Sequence, residues 1–274
     1  MKAKESSSGK TVLITGSTDG LGKVVAKRLA AQGADVILHG RDDKKGNEVL
    51  RDLQSQTGSK TLRYYNGEYA SFQNVKVLSE EILLEESRFD ILINNVGIGR
   101  GNPVTRREES NDGIELRFAV NYLSHVLLTE RLLQGLSTKP SQIINVASIG
   151  QDPIDFSDVM LERNYEGYHA YKQSKTALIM YTFDLADRLK KTGTIVNAVH
   201  PASLMNTKMV TDDWGYTLTT VEQGAEAVEN LLSAKTTGEY YDGKRRSKAI
   251  SQAYDMTART RLHAITWELI ARFL

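Results

Sequence analysis

Apolar positions in this chain gather into short runs separated by longer stretches of mixed character. Thr11-Val12-Leu13-Ile14, Asp35-Val36-Ile37-Leu38, Asp90-Ile91-Leu92-Ile93, Gln142-Ile143-Ile144-Asn145-Val146 and Thr194-Ile195-Val196-Asn197-Ala198-Val199 are near-continuous apolar segments. Runs of this length and kind predict strands buried on both faces. Leu62-Arg63-Tyr64-Tyr65 is a weaker strand of the same series. Between the runs, apolar residues recur at helical spacing, as Val24, Val25, Leu29 and Ala30 do. Helices are predicted over residues 23–32, 44–56, 72–86, 112–135 and 168–191. Leu262, Ile265, Leu269 and Phe273 predict one more over 256–274, packed on the body.

Strand and helix alternate. Apart from the weaker run at Leu62–Tyr65 the strands are apolar on both faces, and right-handed crossovers cover both faces of a sheet made this way. The expected fold class is α/β, a single-domain doubly wound (Rossmann) parallel sheet flanked by helices. No Pro/Gly/Ser-rich linker divides the chain, so one domain is expected over 1–274. Residues 1–9 read as a flexible tail, and 203–274 as a substrate loop and C-terminal extension.

Composition narrows the function. The formal net charge is +1, and the basic cluster Lys244-Arg245-Arg246 is short enough to read as a solvated loop. No nucleic-acid surface is expected, since one needs a concentrated basic face. The absence of cysteine excludes disulfides, thiol catalysis and cysteine–metal sites. The five histidines are dispersed, so no metal is expected. No run approaches the roughly 20 apolar residues of a membrane helix, and the N-terminus lacks the apolar core of a signal peptide. These features predict a cytoplasmic protein with no membrane span.

The first strand leads into Thr15-Gly16-Ser17-Thr18-Asp19-Gly20-Leu21-Gly22. Glycines between a strand and a helix let backbone approach a diphosphate, and the helix N-terminus offers it free N–H groups. A phosphate-binding P-loop is excluded, because Ser17 stands where that motif requires glycine. At the end of the second strand, an acidic residue would bind a ribose hydroxyl, whereas an arginine pairs with a 2′-phosphate. Here His39-Gly40-Arg41 favours NADP(H), and the neighbouring Asp42 and Asp43 leave NAD(H) open. Pairing of Arg41 with one of those aspartates is the competing reading.

Tyr171 and Lys175 are four residues apart on a predicted helix and share one face. A tyrosine titrates near pKa ~10 and is a poor base at neutral pH; a nearby ammonium stabilises its phenolate. The tyrosine then donates a proton to a carbonyl under reduction, or accepts one from an alcohol under oxidation. Spacing alone makes such a pair unremarkable. Ser148, just past the fifth strand, adds a hydroxyl able to hold the substrate oxygen. Asn121 lies inside the long helix predicted over 112–135.

Taken together, these motifs resemble the short-chain dehydrogenase/reductase family, classical type, from Lys10 to about Thr207. The glycine pattern is met by Thr15, Gly16, Gly20 and Gly22, and the Asn-Asn-Ala-Gly motif appears as Asn94-Asn95-Val96-Gly97. The family's asparagine, serine and Tyr-x-x-x-Lys are matched by Asn121, Ser148, Tyr171 and Lys175, and its Pro-Gly by Pro201-Ala202. The stretch from Ile154 to Tyr165, Gly238-Glu239-Tyr240-Tyr241-Asp242-Gly243 and Trp267 are similar to the retinol-dehydrogenase-like branch. The resemblance implies a carbonyl reductase or alcohol dehydrogenase in which Tyr171 is the acid/base, Lys175 its activator, Ser148 the substrate holder and Asn121 the support of a relay water. It assigns cofactor contacts to Thr15, Gly16, Ser17, Asp19, Gly20, Leu21, Gly22, Arg41, Glu68, Tyr69, Asn94, Val96, Gly97, Tyr171, Lys175, Pro201, Ala202 and Thr207. It also implies a homodimer or homotetramer paired through the helices over 112–135 and 168–191.

The substrate, a small carbonyl or alcohol, should be enclosed by the loops over 98–111, 149–167 and 203–220. Met205, Met209 and Trp214 in the last are expected either to cover it or to pack. Other readings are a non-catalytic NADP-binding sensor or interaction protein, and a double-bond reductase or epimerase on the same scaffold.

Overall fold

The structure, a computed structural model, describes residues 7–86, 88–136 and 141–274. Strands β1 (Thr11–Ile14), β2 (Asp35–Gly40), β3 (Arg63–Asn66), β4 (Ile91–Asn94), β5 (Gln142–Val146), β6 (Ile195–His200), β7 (Glu239–Asp242) and β8 (Arg245–Ser247) form one sheet. Their order is β3-β2-β1-β4-β5-β6-β7-β8. The first seven strands are parallel, and β8 pairs antiparallel with β7.

Alternate residues of each strand enter opposite layers, which explains why the runs are apolar without a break. Leu13, Ile37, Leu92, Ile143 and Val196 face one layer. It contains α3 (Phe72–Glu85), α5 (Ser124–Leu132), α6 (Gly167–Leu189) and α9 (Met256–Ile270). Val12, Val36, Ile91, Ile144 and Val199 face the other, with α1 (Gly20–Ala31), α2 (Asp43–Thr57) and α8 (Val221–Leu231). Each fully buried side chain of this size is worth roughly 1.5–3 kcal/mol.

The helix expected over 112–135 is broken. Gly113 takes a φ of +76°, and Glu115 caps the true start by accepting the Phe118 N–H at 2.7 Å. The segment then runs as α4 (Leu116–Phe118), a π turn (Ala119–Leu123), α5 and a 3₁₀ turn (Leu133–Gly135). The first helix starts earlier than expected, because Asp19 caps it and accepts the Gly20 N–H at 2.8 Å.

The final third is more regular than its sequence suggests. It holds α7 (Lys208–Trp214), α8, β7 and β8. Arg245 and Arg246, expected in a loop, form the antiparallel edge strand instead. Of the tail expected over 1–9, residues 1–6 lie outside the described residues. Ser7 is fully buried and donates to Gln32 Oε1 at 3.0 Å, while Gly9 N donates to Gly33 O at 2.9 Å.

The terminal helix α9 ends in a 3₁₀ turn (Ala271–Phe273) and packs against both long helical segments. Thr266 pairs with Tyr122 at 2.6 Å, and Arg259 Nε donates to Asp184 at 2.7 Å. Among the described residues, no helix is long and apolar enough to cross a membrane.

Candidate active site

Between β1 and β4 the strand order reverses, and the loops leaving the carboxyl ends diverge to open a crevice. The turn after β1 has Gly16 at φ +64° and Gly20 at φ +46°, conformations that favour glycine. A Cβ on Gly22 would stand 2.3 Å from Gly16 O and 2.6 Å from Asn95 Nδ2. Close approach here is therefore part of the construction. Thr15 Oγ1 accepts from Asn95 N at 2.9 Å and Val96 N at 3.3 Å, tying the loops after β1 and β4 together. Asn95 Nδ2 donates to Thr15 O at 2.9 Å and Gly16 O at 3.0 Å. The Val96 side chain abuts Gly16, 3.1 Å from where a Cβ would be.

Ser17 is buried, and its hydroxyl accepts the His39 N–H at 2.9 Å. Leu21 is buried against the α8 layer. Asp19 faces solvent and pairs with Lys45 at 2.5 Å, which holds its carboxyl below its ordinary value. Beside Gly20 stands the Thr207 methyl, 3.2 Å from an added Cβ. Thr207 also caps α7 through Val210 N. Pro201 is buried and Ala202 half-buried at the end of β6. The glycine turn, whose Gly16 and Gly20 carry no side chain of their own and lead into the start of α1, fits a dinucleotide diphosphate.

Arg41 is exposed, with NH1 3.8 Å from Glu68 Oε2. It does not pair with the aspartates beside it. Asp42 caps α2 by accepting the Lys45 N–H at 2.9 Å, and Asp43 takes Asn47 Nδ2 at 3.1 Å. Two expected contacts have a different geometry. The Tyr69 ring is buried between His39 and His125, 5.2 Å from each. Asn94 is fully buried, donating to Thr129 Oγ1 at 2.9 Å and Asn145 Oδ1 at 2.8 Å; it ties β4 to β5 and α5.

Around Gly97 and Gly150 the four expected catalytic side chains converge. A Cβ on Gly97 would lie 3.5 Å from Lys175 Nζ and 3.6 Å from Asn121 Oδ1. One on Gly150 would lie 3.4 Å from Ser148 Oγ and 3.7 Å from Tyr171 Cε1. Asn121 sits in the π turn, a distortion frequent at functional sites. Its Oδ1 accepts from Ile98 N at 2.8 Å, and its Nδ2 donates to Ile98 O and Ser174 Oγ at 3.1 Å. Ser148 Oγ accepts from Gly150 N at 3.0 Å.

Lys175 is buried, and its Nζ donates to Val146 O at 3.0 Å. Burial pulls its pKa down from 10.5 to about 8. Tyr171 is moved the opposite way from the expectation: burial raises its pKa, and a bond with Ser148 is what opposes the rise. The lysine does not stabilise the phenolate here because Nζ turns to the Val146 carbonyl, 6.0 Å from the tyrosine ring centre.

Across the crevice, α7 is joined to the loop after β4. Asp213 Oδ2 accepts the Arg100 N–H at 2.8 Å, and the Arg100 guanidinium lies 5.0 Å from the Trp214 ring. Trp214 packs edge-on to Tyr168 at 6.0 Å. Met205 packs into the α8 layer, whereas Met209 lies beside Gly99. His169 does not enter the catalytic cluster; its Nδ1 pairs with Asp152 at 3.0 Å.

Three site residues were not singled out from sequence. Asn95 was visible only as one letter of a motif. His39 was a polar interruption at the end of an apolar strand. Asp213 carried no sequence signal.

The short chain dehydrogenase family matches residues 10–215. The chain belongs to that family. Within it, the relatives place the chain in the retinol-dehydrogenase-like branch. Retinol dehydrogenase 13 of Mus musculus is 39% identical over 197 residues, covering 70% of this chain and 58% of that protein. Retinol dehydrogenase 14 of Mus musculus is 40% identical over 206 residues, covering 70% and 60%. The chain thus spans about three fifths of these relatives. A crystal structure of an uncharacterised protein from Mycobacterium paratuberculosis superposes with a TM-score of 0.81 at 26% identity, covering 98% of this chain and 97% of that one. L-sorbose reductase from Gluconobacter frateurii, solved with NADPH and L-sorbose, shares the fold at a TM-score of 0.69 and 24% identity over 86% of this chain and 95% of that one.

Proposed function

We propose that this chain is an NADP(H)-dependent oxidoreductase acting on a carbonyl or alcohol, with Tyr171 as general acid/base. The observation that carries this is the convergence of Ser148, Tyr171, Lys175 and Asn121 at the carboxyl end of the sheet, beside a glycine turn open to a diphosphate. A bound nicotinamide supplies or accepts the hydride, and the protein supplies orientation and the proton. Ser148 holds the substrate oxygen. Tyr171 donates its proton to that oxygen in reduction and takes it back in oxidation. Its raised pKa keeps it a proton donor in the protein alone. Lys175, whose pKa burial pulls down to about 8, is assigned to the nicotinamide ribose. Asn121 anchors the loop after β4 by its side chain and supports the relay water through its backbone.

Gly16, Gly20, Gly22 and Asp19 form the diphosphate end, and Arg41 with Glu68 the adenosine end. An exposed guanidinium, 3.8 Å from its carboxylate, is free to exchange that partner for a 2′-phosphate. On the substrate side, Met209 and Trp214 cover the crevice while Met205 packs.

Tyr171→Phe should lower turnover by about 10²–10⁴-fold and leave NADPH affinity unchanged. Full turnover in that variant overturns the assignment. Arg41→Ala should weaken NADPH by roughly tenfold or more, the worth of a charge-assisted bond, and leave NADH alone. Equal effects on the two cofactors remove Arg41 from the 2′-phosphate.

A further inference from the structure

Against the glycine turn lies a buried row of three polar rings, His39, Tyr69 and His125, with Tyr69 tilted against His39 and edge-on to His125, each pair 5.2 Å apart. His39 ends the apolar part of β2 and is buried. Its Nδ1 accepts the Gly16 N–H at 3.1 Å, and its Nε2 lies 3.1 Å from Gly67 O. The Ser17 N–H donates to its carbonyl at 2.9 Å. One residue therefore grips the turn after β1 at two points and links it to the loop that carries Glu68.

Only one protonation state satisfies both ring contacts. Gly16 N–H needs a lone pair on Nδ1, and Gly67 O needs a proton on Nε2. An imidazolium offers no acceptor. Burial holds the ring neutral, with a pKa pulled down to about 4. Gly16 is also the residue whose carbonyl Gly22 approaches most closely, so a shift at Gly16 passes directly to the start of α1.

We propose that His39 is a positioning residue of the cofactor site: its Nδ1 lone pair holds Gly16 in the left-handed conformation that keeps the turn open to a dinucleotide diphosphate. This rests on the cofactor reading above. A histidine that merely filled space would be replaced equally well by any polar side chain of similar size. A bridge through Nδ1 is replaced only by a side chain that puts an acceptor there. The amide oxygen of asparagine reaches the place of Nδ1; the amide nitrogen of glutamine reaches the place of Nε2.

The test is NADPH binding, followed by nucleotide fluorescence, in the whole chain carrying His39→Asn or His39→Gln. The asparagine variant should bind within about threefold of the parent. The glutamine variant, leaving the Gly16 N–H unpaired, should bind on the order of tenfold more weakly. Equal loss in both, or the reverse order, overturns the proposal. A parent protein that binds no NADPH overturns the cofactor reading itself. Imidazole ¹⁵N resonances of the parent protein read the same bond if a variant does not fold. Nδ1 should be unprotonated, and its resonance should move when NADPH is added; a protonated Nδ1 overturns the proposal.

Discussion

The loop after β1 and the segment after β6 face each other across one crevice and are built in opposite ways. The first is held by backbone-directed bonds from buried Thr15, Ser17 and His39 and half-buried Asn95, all to main-chain atoms. The second is closed on itself by backbone bonds between 204–206 and 218–219, but it meets the other loops of the crevice through half-buried side chains, Asp213 on Arg100 N and Trp214 against Tyr168. Tyr216 and Leu218, just beyond α7, are exposed. Bonds to buried backbone fix geometry and cost much to break, whereas partly exposed contacts open cheaply. The difference teaches a division of labour: a wall fixed by bonds to buried backbone opposes a segment whose contacts across the crevice are fewer and more exposed.

Two glycines test this difference, Gly22 pressed against the loops after β1 and β4 and Gly99 against the segment after β6. Gly22→Ala places a Cβ 2.3 Å from Gly16 O, where only backbone can yield. NADPH affinity should fall on the order of 10²-fold, the cost of displacing a binding group by about 1 Å. Unchanged affinity, measured by titration, would show that the wall is not rigid.

A smaller effect concerns the buried ammonium between the two regions. The folded pKa of Lys175 is depressed, to about 8 from 10.5. Below about pH 8 the folded state carries a charge it disfavours. As pH rises from 8 towards 10.5, the folded lysine becomes neutral while the unfolded one stays charged, so stability rises. Lys175→Met should therefore stabilise the protein by on the order of 2 kcal/mol at pH 7. That gain should shrink between pH 8 and 10.5. Denaturant melts at pH 7 and 10 measure it, and a destabilised variant at pH 7 would mean that the bond to Val146 outweighs the desolvation.

The smallest effect is expected at the segment after β6. Gly99→Ala brings a Cβ within 1.7 Å of Asp213 Oδ2, the far end of a side chain that can swing away. Losing one hydrogen bond should raise KM about fivefold and leave NADPH affinity untouched. A matching loss of NADPH affinity would show that the two regions are coupled.

Legibility in the sequence follows the same division. Six strands and most helices were readable because both faces of the sheet are covered and five of those strands are near-continuously apolar, with Arg63–Asn66 the weaker sixth. The convergence of Ser148, Tyr171 and Lys175 was readable because strand ends and helix starts lie close in chain order. β7 was not readable, because only Tyr240 and Tyr241 of its four residues are buried and its pairing with β6 is distant in the chain. The π turn at Asn121 was equally hidden, since it arises where the Ile98 backbone draws on the Asn121 side chain.

By itself, then, the amino-acid sequence determined the layered α/β architecture, the glycine turn and the identity of the chemical groups, because periodicity and local backbone freedom act over a few residues. Tertiary structure alone decided which atoms those groups face. It turned Lys175 to Val146 rather than to Tyr171, Arg41 to Glu68 rather than to Asp42, Asn94 into the core, and His39 onto Gly16. Each outcome depends on burial and on partners contributed by distant segments, and those exist only once the sheet has brought its strands together.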